Sequence, residues 1–141
     1  IIKKYIILMF SVLLHIQAEP KLYFITPSDG ETVNCEVIIL DGDTVNCEFI
    51  IKFGLSDFGV APAGYDIPNT GHHHLIINAP LPDFSLPIPA NENYIHFGLG
   101  QTETLISLPP GKHRLRLLLG NYVHIPHSSP LISNEINIVV E

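Results

Sequence analysis

The stretch His113-Arg-Leu-Arg-Leu-Leu-Leu119 decides the fold class, because polar and apolar side chains alternate along most of it. The arginines at 114 and 116 fall on one side, and the leucines at 115, 117 and 119 join His113 on the other. A period of two residues is that of a β-strand with one buried face. We therefore expect a strand here, with His113 at an inward or rim position.

Seven further segments have strand character, because they are rich in Val, Ile, Leu, Phe and Tyr and lie between turn signals. They span residues 22–25, 33–40, 45–53, 73–78, 94–97, 102–108 and 132–140. Twelve prolines and ten glycines lie mostly between these segments, and no helical periodicity competes with them. The sequence thus predicts an all-β, immunoglobulin-like antiparallel β-sandwich. The proline-rich segment 79–93 is expected to cross from one sheet to the other, and long loops of this kind often frame a site.

Residues 1–18 have the pattern of a signal peptide. Lys3 and Lys4 form a charged start, residues 5–14 an apolar run, and Ala18 the end of a small-residue cleavage site. The run is shorter than the roughly 20 residues that a spanning helix needs, so cleavage is favoured over an uncleaved anchor. We expect a periplasmic or secreted protein in which residues 19–141 form a single β-sandwich domain without a membrane span.

Composition excludes several classes of function. The chain has 14 acidic and 7 basic residues, which argues against a nucleic acid or an anionic membrane surface as the main partner and favours a cation. It contains no Gly-x-Ser-x-Gly elbow, no phosphate-binding glycine loop and no His-Glu-x-x-His motif. Glu31 and Asp43 fit no ordered calcium loop and are better explained as turn and edge charges. The prediction is that the protein is not an enzyme.

A tandem duplication covers residues 29–52, where Asp-Gly-Glu-Thr-Val-Asn-Cys-Glu is followed by Asp-Gly-Asp-Thr-Val-Asn-Cys-Glu. It is expected to add a strand or a bulged loop near one edge of the sandwich. A two-residue turn at 41–42 would put Cys35 and Cys47 on opposite faces and exclude a disulfide. A register one residue shorter would place them opposite each other and allow one.

The histidines are the main functional signal, because seven of the eight lie after residue 71. In an extended strand His72 and His74 share a face, whereas His73 faces the other way. Neutral imidazole suits copper and zinc, and an oxidising compartment favours copper. The predicted metal ligands are His72, His74, His96, His113, His124 and His127, for copper first and zinc second. Alternatives stay open: His113 as a packed, hydrogen-bonded side chain, and His124 and His127 as polar turn residues.

Four motifs in this order carry a family resemblance: Gly71-His-His-His-Leu-Ile76, Ile95-His-Phe-Gly98, Leu108-Pro-Pro-Gly-Lys-His113 and His124-Ile-Pro-His127. With them the chain, over about residues 27–140, resembles a secreted bacterial domain of unknown function, family 4399. The resemblance implies an exported β-rich domain whose signature motifs contain these seven histidines, and no established substrate. The duplicated stretch departs from the family pattern, which has a single strand there. A looser likeness to small copper-handling sandwiches is fold-level analogy.

Three functions follow from these features. The first is a metal-binding module, with His72 and His74 as the central pair. The second is a structural or interaction module of the cell envelope, in which the histidines complete hydrogen-bond networks and a sheet edge contacts a protein partner. The third is an enzyme or redox module that would need an open position on the same metal. Replacing His72 and His74 distinguishes the first two.

Overall fold

The computed structural model describes residues 17–34, 39–40, 43–44 and 47–141, and the described residues contain strands and no helix. Residues 1–16 of the predicted signal peptide lie outside this part of the chain. The strands are β1 (Lys21–Thr26), β2 (Thr32–Val33), β3 (Ile39–Leu40), β4 (Asp43–Thr44), β5 (Cys47–Ser56), β6 (Gly59–Val60), β7 (Thr70–Ile77), β8 (Tyr94–His96), β9 (Glu103–Leu108), β10 (Gly111–Gly120) and β11 (Ile136–Val140). The predicted all-β class is confirmed.

Two larger sheets build the fold, and β3 and β4 form a separate two-stranded sheet. A three-stranded sheet has the order β1-β5-β9, and a six-stranded sheet has the order β2-β11-β10-β7-β6, with β8 also paired to β7. The pairings are antiparallel except for β2 with β11 and β6 with β7, which are parallel. The two short parallel pairs were not expected from the sequence, because strands of two residues carry no readable alternation.

The main core lies between the two sheets. Leu115, Leu117 and Leu119 of β10 face Ile51 and Phe53 of β5, and all five are buried. Burying one such side chain stabilises the fold by about 1.5–3 kcal/mol. The alternation predicted for residues 113–119 is thereby confirmed, with Arg114 exposed and Arg116 half-buried on the opposite side.

A second, smaller core covers the outer face of the six-stranded sheet. Ile76 of β7 and Leu118 of β10 are buried there against Ile88, which the segment 79–93 supplies. This segment joins β7 to β8, and those two strands pair with each other in one sheet. The expectation that it crosses between the sheets is therefore wrong: it folds back over the sheet that it leaves. Its apolar side chains make that return favourable.

The cysteine argument from the 41–42 turn is also corrected. Residues 41–42 lie outside the described part of the chain, and on either side of them Leu40 pairs with Asp43 and Ile39 with Thr44. Cys47 is nevertheless disulfide-bonded and buried; Cys35 lies outside the described residues. Cys47 begins β5 and pairs with Leu108 of β9, and its disulfide contradicts the alternative register that excluded one. Among the described residues no helix is long and apolar enough to span a membrane.

Candidate metal centre

The register between β7 and β10 separates the three consecutive histidines. His72 lies opposite Gly120, His73 opposite Leu119 and His74 opposite Leu118. Directly paired residues share a face of a sheet, so His73 joins the main core, where it stacks on Phe53 with ring centroids 5.1 Å apart. His72 and His74 lie on the outer face. The predicted division of the triplet between the two faces is confirmed.

Three imidazoles meet on that outer face. The Nε2 atom of His72 lies 2.9 Å from Nδ1 of His124, and Nε2 of His74 lies 3.3 Å from the same atom. One ligand atom from each of the three side chains falls within 4.8 Å of the others. Two nitrogens bound to one tetrahedral ion at 2.0–2.1 Å are about 3.3 Å apart. The spacing of His74 and His124 therefore matches that of two nitrogens on one metal ion, whereas the 2.9 Å between His72 and His124 is a hydrogen bond that a bound ion would replace.

The orientation of His74 is determined by a backbone carbonyl. Its Nδ1–H donates to the carbonyl oxygen of His72 at 3.2 Å, which leaves the lone pair on Nε2, the atom that faces His124. Metal-binding histidines usually donate their second ring nitrogen in this way, because the bond selects the tautomer and raises the basicity of the ligand. Nε2 of His74 therefore carries the lone pair that would bind a cation.

His124 reaches the cluster from a tight loop after β10. Its backbone has a positive φ of 65°, which is uncommon for a residue other than glycine and occurs at functional sites. The Oδ1 atom of Asn121 accepts hydrogen bonds from the backbone N–H groups of Val123 and Ile125, both at 3.0 Å, and the N–H of His124 donates to the carbonyl of Asn121. From the other side, the N–H of Ile88 donates to the carbonyl of His124.

Burial keeps the central imidazoles neutral. Neither His72 nor His74 has exposed surface. Desolvation, followed by the neighbouring His124 and His96, lowers the pKa of His72 to about 4. Desolvation, followed by His96, His72 and His124, lowers the pKa of His74 to about 2, and burial likewise lowers the pKa of His124. At neutral pH the site offers uncharged nitrogen donors, the form that metals bind.

His96 stands next to this trio. It is paired with His74 across β7 and β8, and its ring contacts those of His74 and His124, with centroids 4.3 Å and 4.8 Å apart. Its Nε2–H donates to the carbonyl of Pro89 at 2.7 Å. The structure therefore brings four of the six predicted ligands to one place, three of them with nitrogens already converging.

His113 and His127 lie apart from the trio. The Nδ1 atom of His113 accepts a bond from Asn78 Nδ2 at 2.9 Å, and its Nε2–H donates to the carbonyl of Pro109 at 2.7 Å. This is the packed, hydrogen-bonded alternative. His127 packs edge-on against Phe58, and its buried Nε2 has no hydrogen-bond partner among the described residues. Neither side chain supplies an atom to the converging set.

The chemistry of the trio favours transition metals. The group contains no carboxylate or thiolate; imidazole nitrogens suit copper, zinc and nickel, whereas calcium and magnesium prefer oxygen. The segments that build the site, residues 57–101 and 120–127, contain no Lys or Arg, and their only charged residues are Asp57, Asp66, Asp83 and Glu92. A cation approaching this end of the domain meets loops whose charges are only negative.

Sequence reasoning missed two residues that position the ligands. Gly120 lets His74 approach: a Cβ on Gly120 would lie 2.5 Å from Cε1 of His74. Asn121 organises the loop of His124. A glycine that ends a strand and an asparagine directly after it are signals of close approach and of a turn, but the sequence alone did not show that His74 and His124 depend on them.

Comparison with known proteins gives a family and no activity. A family model described as a domain of unknown function (DUF4399) matches residues 51–141. The match begins inside β5 and contains all the histidines discussed above. No curated protein and no solved structure matches the chain.

Proposed function

We propose that the domain binds one transition-metal ion, copper in preference to zinc, through His72, His74 and His124. The chain belongs to the family described as a domain of unknown function (DUF4399). The observation that carries this proposal is the convergence of three neutral imidazole nitrogens within 4.8 Å. Copper precedes zinc because the predicted signal peptide places the protein in the periplasm or outside the cell, where oxidising conditions hold Cu(II). The role is that of a non-catalytic carrier or sensor module.

The metal-binding proposal is tested by elemental analysis and calorimetric titration of the protein lacking residues 1–18 with Cu(II), Cu(I) and Zn(II). We expect one ion per chain with a dissociation constant below about 1 μM, and loss of binding in the His72→Ala/His74→Ala variant. The matched control is His113→Ala, which also removes a buried imidazole but leaves the trio intact. It should bind the ion as the wild type does.

The same control distinguishes a ligand from a structural histidine. His113→Ala leaves the Pro109 carbonyl and the Asn78 amide without their partner, which should lower the free energy of unfolding by about 1–3 kcal/mol. Urea denaturation measures this loss. Binding that survives in the His72→Ala/His74→Ala variant, or that disappears in His113→Ala while the fold is retained, contradicts the assignment of the trio.

A second candidate function, an interaction module of the cell envelope, is favoured by the outer face of the three-stranded sheet. Ile50 and Leu105 are paired across β5 and β9, and both are more than half exposed there together with Ile25 of β1. Exposed apolar groups that lie next to one another on a sheet often mark a contact surface. Absence of metal binding by the wild type leaves this function as the better explanation.

A further inference from the structure

We propose that His96 is a fourth ligand of the same ion, so that the centre supplies four imidazoles to a four-coordinate metal ion. The inference rests on the proposed function and extends it, because the three converging nitrogens alone would leave one position of a four-coordinate ion to solvent.

The sheet register places His96 on the correct face. His96 of β8 lies directly opposite His74 of β7, so its side chain emerges on the outer face of the sheet with those of His72 and His74. Strand pairing between β7 and β8 therefore fixes the distance between His96 and the trio.

The ring contacts bring the fourth imidazole against two of the three ligands. His96 lies edge-to-face on His74, with ring centroids 4.3 Å apart, and stacks on His124 at 4.8 Å with an interplanar angle of 30°. Its nitrogens lie outside the set that converges within 4.8 Å, so ligation requires the ring to shift toward the ion while Nε2–H keeps its bond to Pro89. The side chain is half-buried.

The hydrogen bond of His96 leaves the correct nitrogen available. Because Nε2–H donates to the Pro89 carbonyl, the lone pair is on Nδ1, and no other hydrogen bond of this ring occurs among the described residues. A carbonyl acceptor of this kind is the usual outer partner of a metal-binding histidine. Ile88, the residue before Pro89, donates its N–H to the His124 carbonyl. Residues 88–89 therefore hold both His96 and His124 in place.

The four imidazoles differ in how far they are buried. His72 and His74 are fully buried, whereas His96 and His124 are half-buried. The rings of His96 and His124 are therefore the two of the four that solvent reaches. A fourth imidazole adds a nitrogen donor of the kind that Cu(II) binds, so His96 is expected to raise the affinity for Cu(II).

The test is electron paramagnetic resonance of the Cu(II)-loaded protein, with calorimetric affinities for Cu(II), in the wild type, His96→Phe and His96→Gln. Phe keeps an aromatic ring against His74 and His124 but has no nitrogen; Gln keeps an amide donor for the Pro89 carbonyl. We expect four coordinated imidazole nitrogens in the wild type and three in both variants, with Cu(II) affinity lowered at least about tenfold.

The outcomes separate this inference from the proposed function. Three coordinated nitrogens in all the proteins, with affinities within about twofold, would overturn the role of His96 and leave the trio in place. Absence of Cu(II) binding by the wild type would overturn both. Circular dichroism melts show whether each variant is folded, and His113→Ala, which should keep four nitrogens, controls for loss of a histidine elsewhere.

Discussion

At Gly120 the main chain of β10 runs directly beside the ring of His74. A Cβ at this position would lie 2.5 Å from Cε1 and 3.1 Å from Nδ1 of His74, closer than side-chain atoms approach one another. Because Gly120 is paired with His72 of β7 on one side and bridged to Pro126 on the other, the imidazole would have to move. The candidate metal centre therefore requires a glycine at position 120, because any side chain there would displace the ring of His74.

We predict that Gly120→Ala weakens metal binding by at least about tenfold and lowers the free energy of unfolding by about 1–3 kcal/mol, because the added methyl overpacks the site. Calorimetric titration and urea denaturation measure the two effects. Gly98→Ala is the matched control, since its Cβ would lie 3.5 Å from Ala63 and 4.0 Å from His124, both ordinary contacts. Equal affinities for the two variants would contradict this account.

Among the secondary-structure elements, one buried strand and one loop supply the three histidines, and a second segment holds that loop in place. β7 supplies His72 and His74 from a sheet that is covered on both faces, and its burial is nearly continuous for that reason. The loop 121–127 supplies His124, and the segment 79–93 holds that loop from outside through Ile88. Ligands on loops need such support, because a displacement of about 1 Å is enough to lose metal geometry.

We predict that Asn121→Ala lowers metal affinity by about tenfold while costing about 1–2 kcal/mol of stability, since two backbone N–H groups lose their acceptor. The Asn121→Asp variant keeps an oxygen at Oδ1 and should bind the ion with near wild-type affinity. Calorimetry of the pair measures the difference. If both variants bind equally well, the position of His124 does not depend on this side chain.

At the scale of the whole molecule, the buried histidines link stability to pH. In the unfolded chain they take up protons near pH 6.5, whereas burial lowers the pKa of His72 and of His73 to about 4 in the folded protein and that of His74 to about 2. Between pH 6.5 and 4 the unfolded state therefore binds more protons. Stability is fully present above pH 6.5 and is lost as the pH falls through that window.

We predict that the metal-free protein loses free energy of unfolding between pH 7.5 and 5, with a slope that approaches about 1.4 kcal/mol per pH unit for each of these histidines. Urea denaturation in the presence of a chelator measures the slope. The His72→Ala/His74→Ala variant should show a shallower dependence because two of the three groups are gone. Equal stability of the wild type at pH 7.5 and pH 5 would contradict the burial of neutral imidazoles.

The all-β class, most of the strands and the orientation of the histidine triplet could be predicted from the amino-acid sequence. These depend on local alternation: one residue of offset along a strand reverses the face. The alternation along residues 113–119 and the opposite directions of His72 and His73 were readable for that reason.

Which histidines come together depends on the three-dimensional fold and could not be predicted from the sequence. His74 and His124 are 50 residues apart in the chain, and their nitrogens are 3.3 Å apart because β10 pairs with β7 and because the segment 79–93 returns over the same sheet. His113 was also predicted as a ligand. It lies near the start of β10, far from Gly120 and on the core face, and both of its ring nitrogens are in hydrogen bonds. Residue type and spacing predict ligands, whereas strand order and loop path, which depend on burial of apolar surface across the whole chain, select among them.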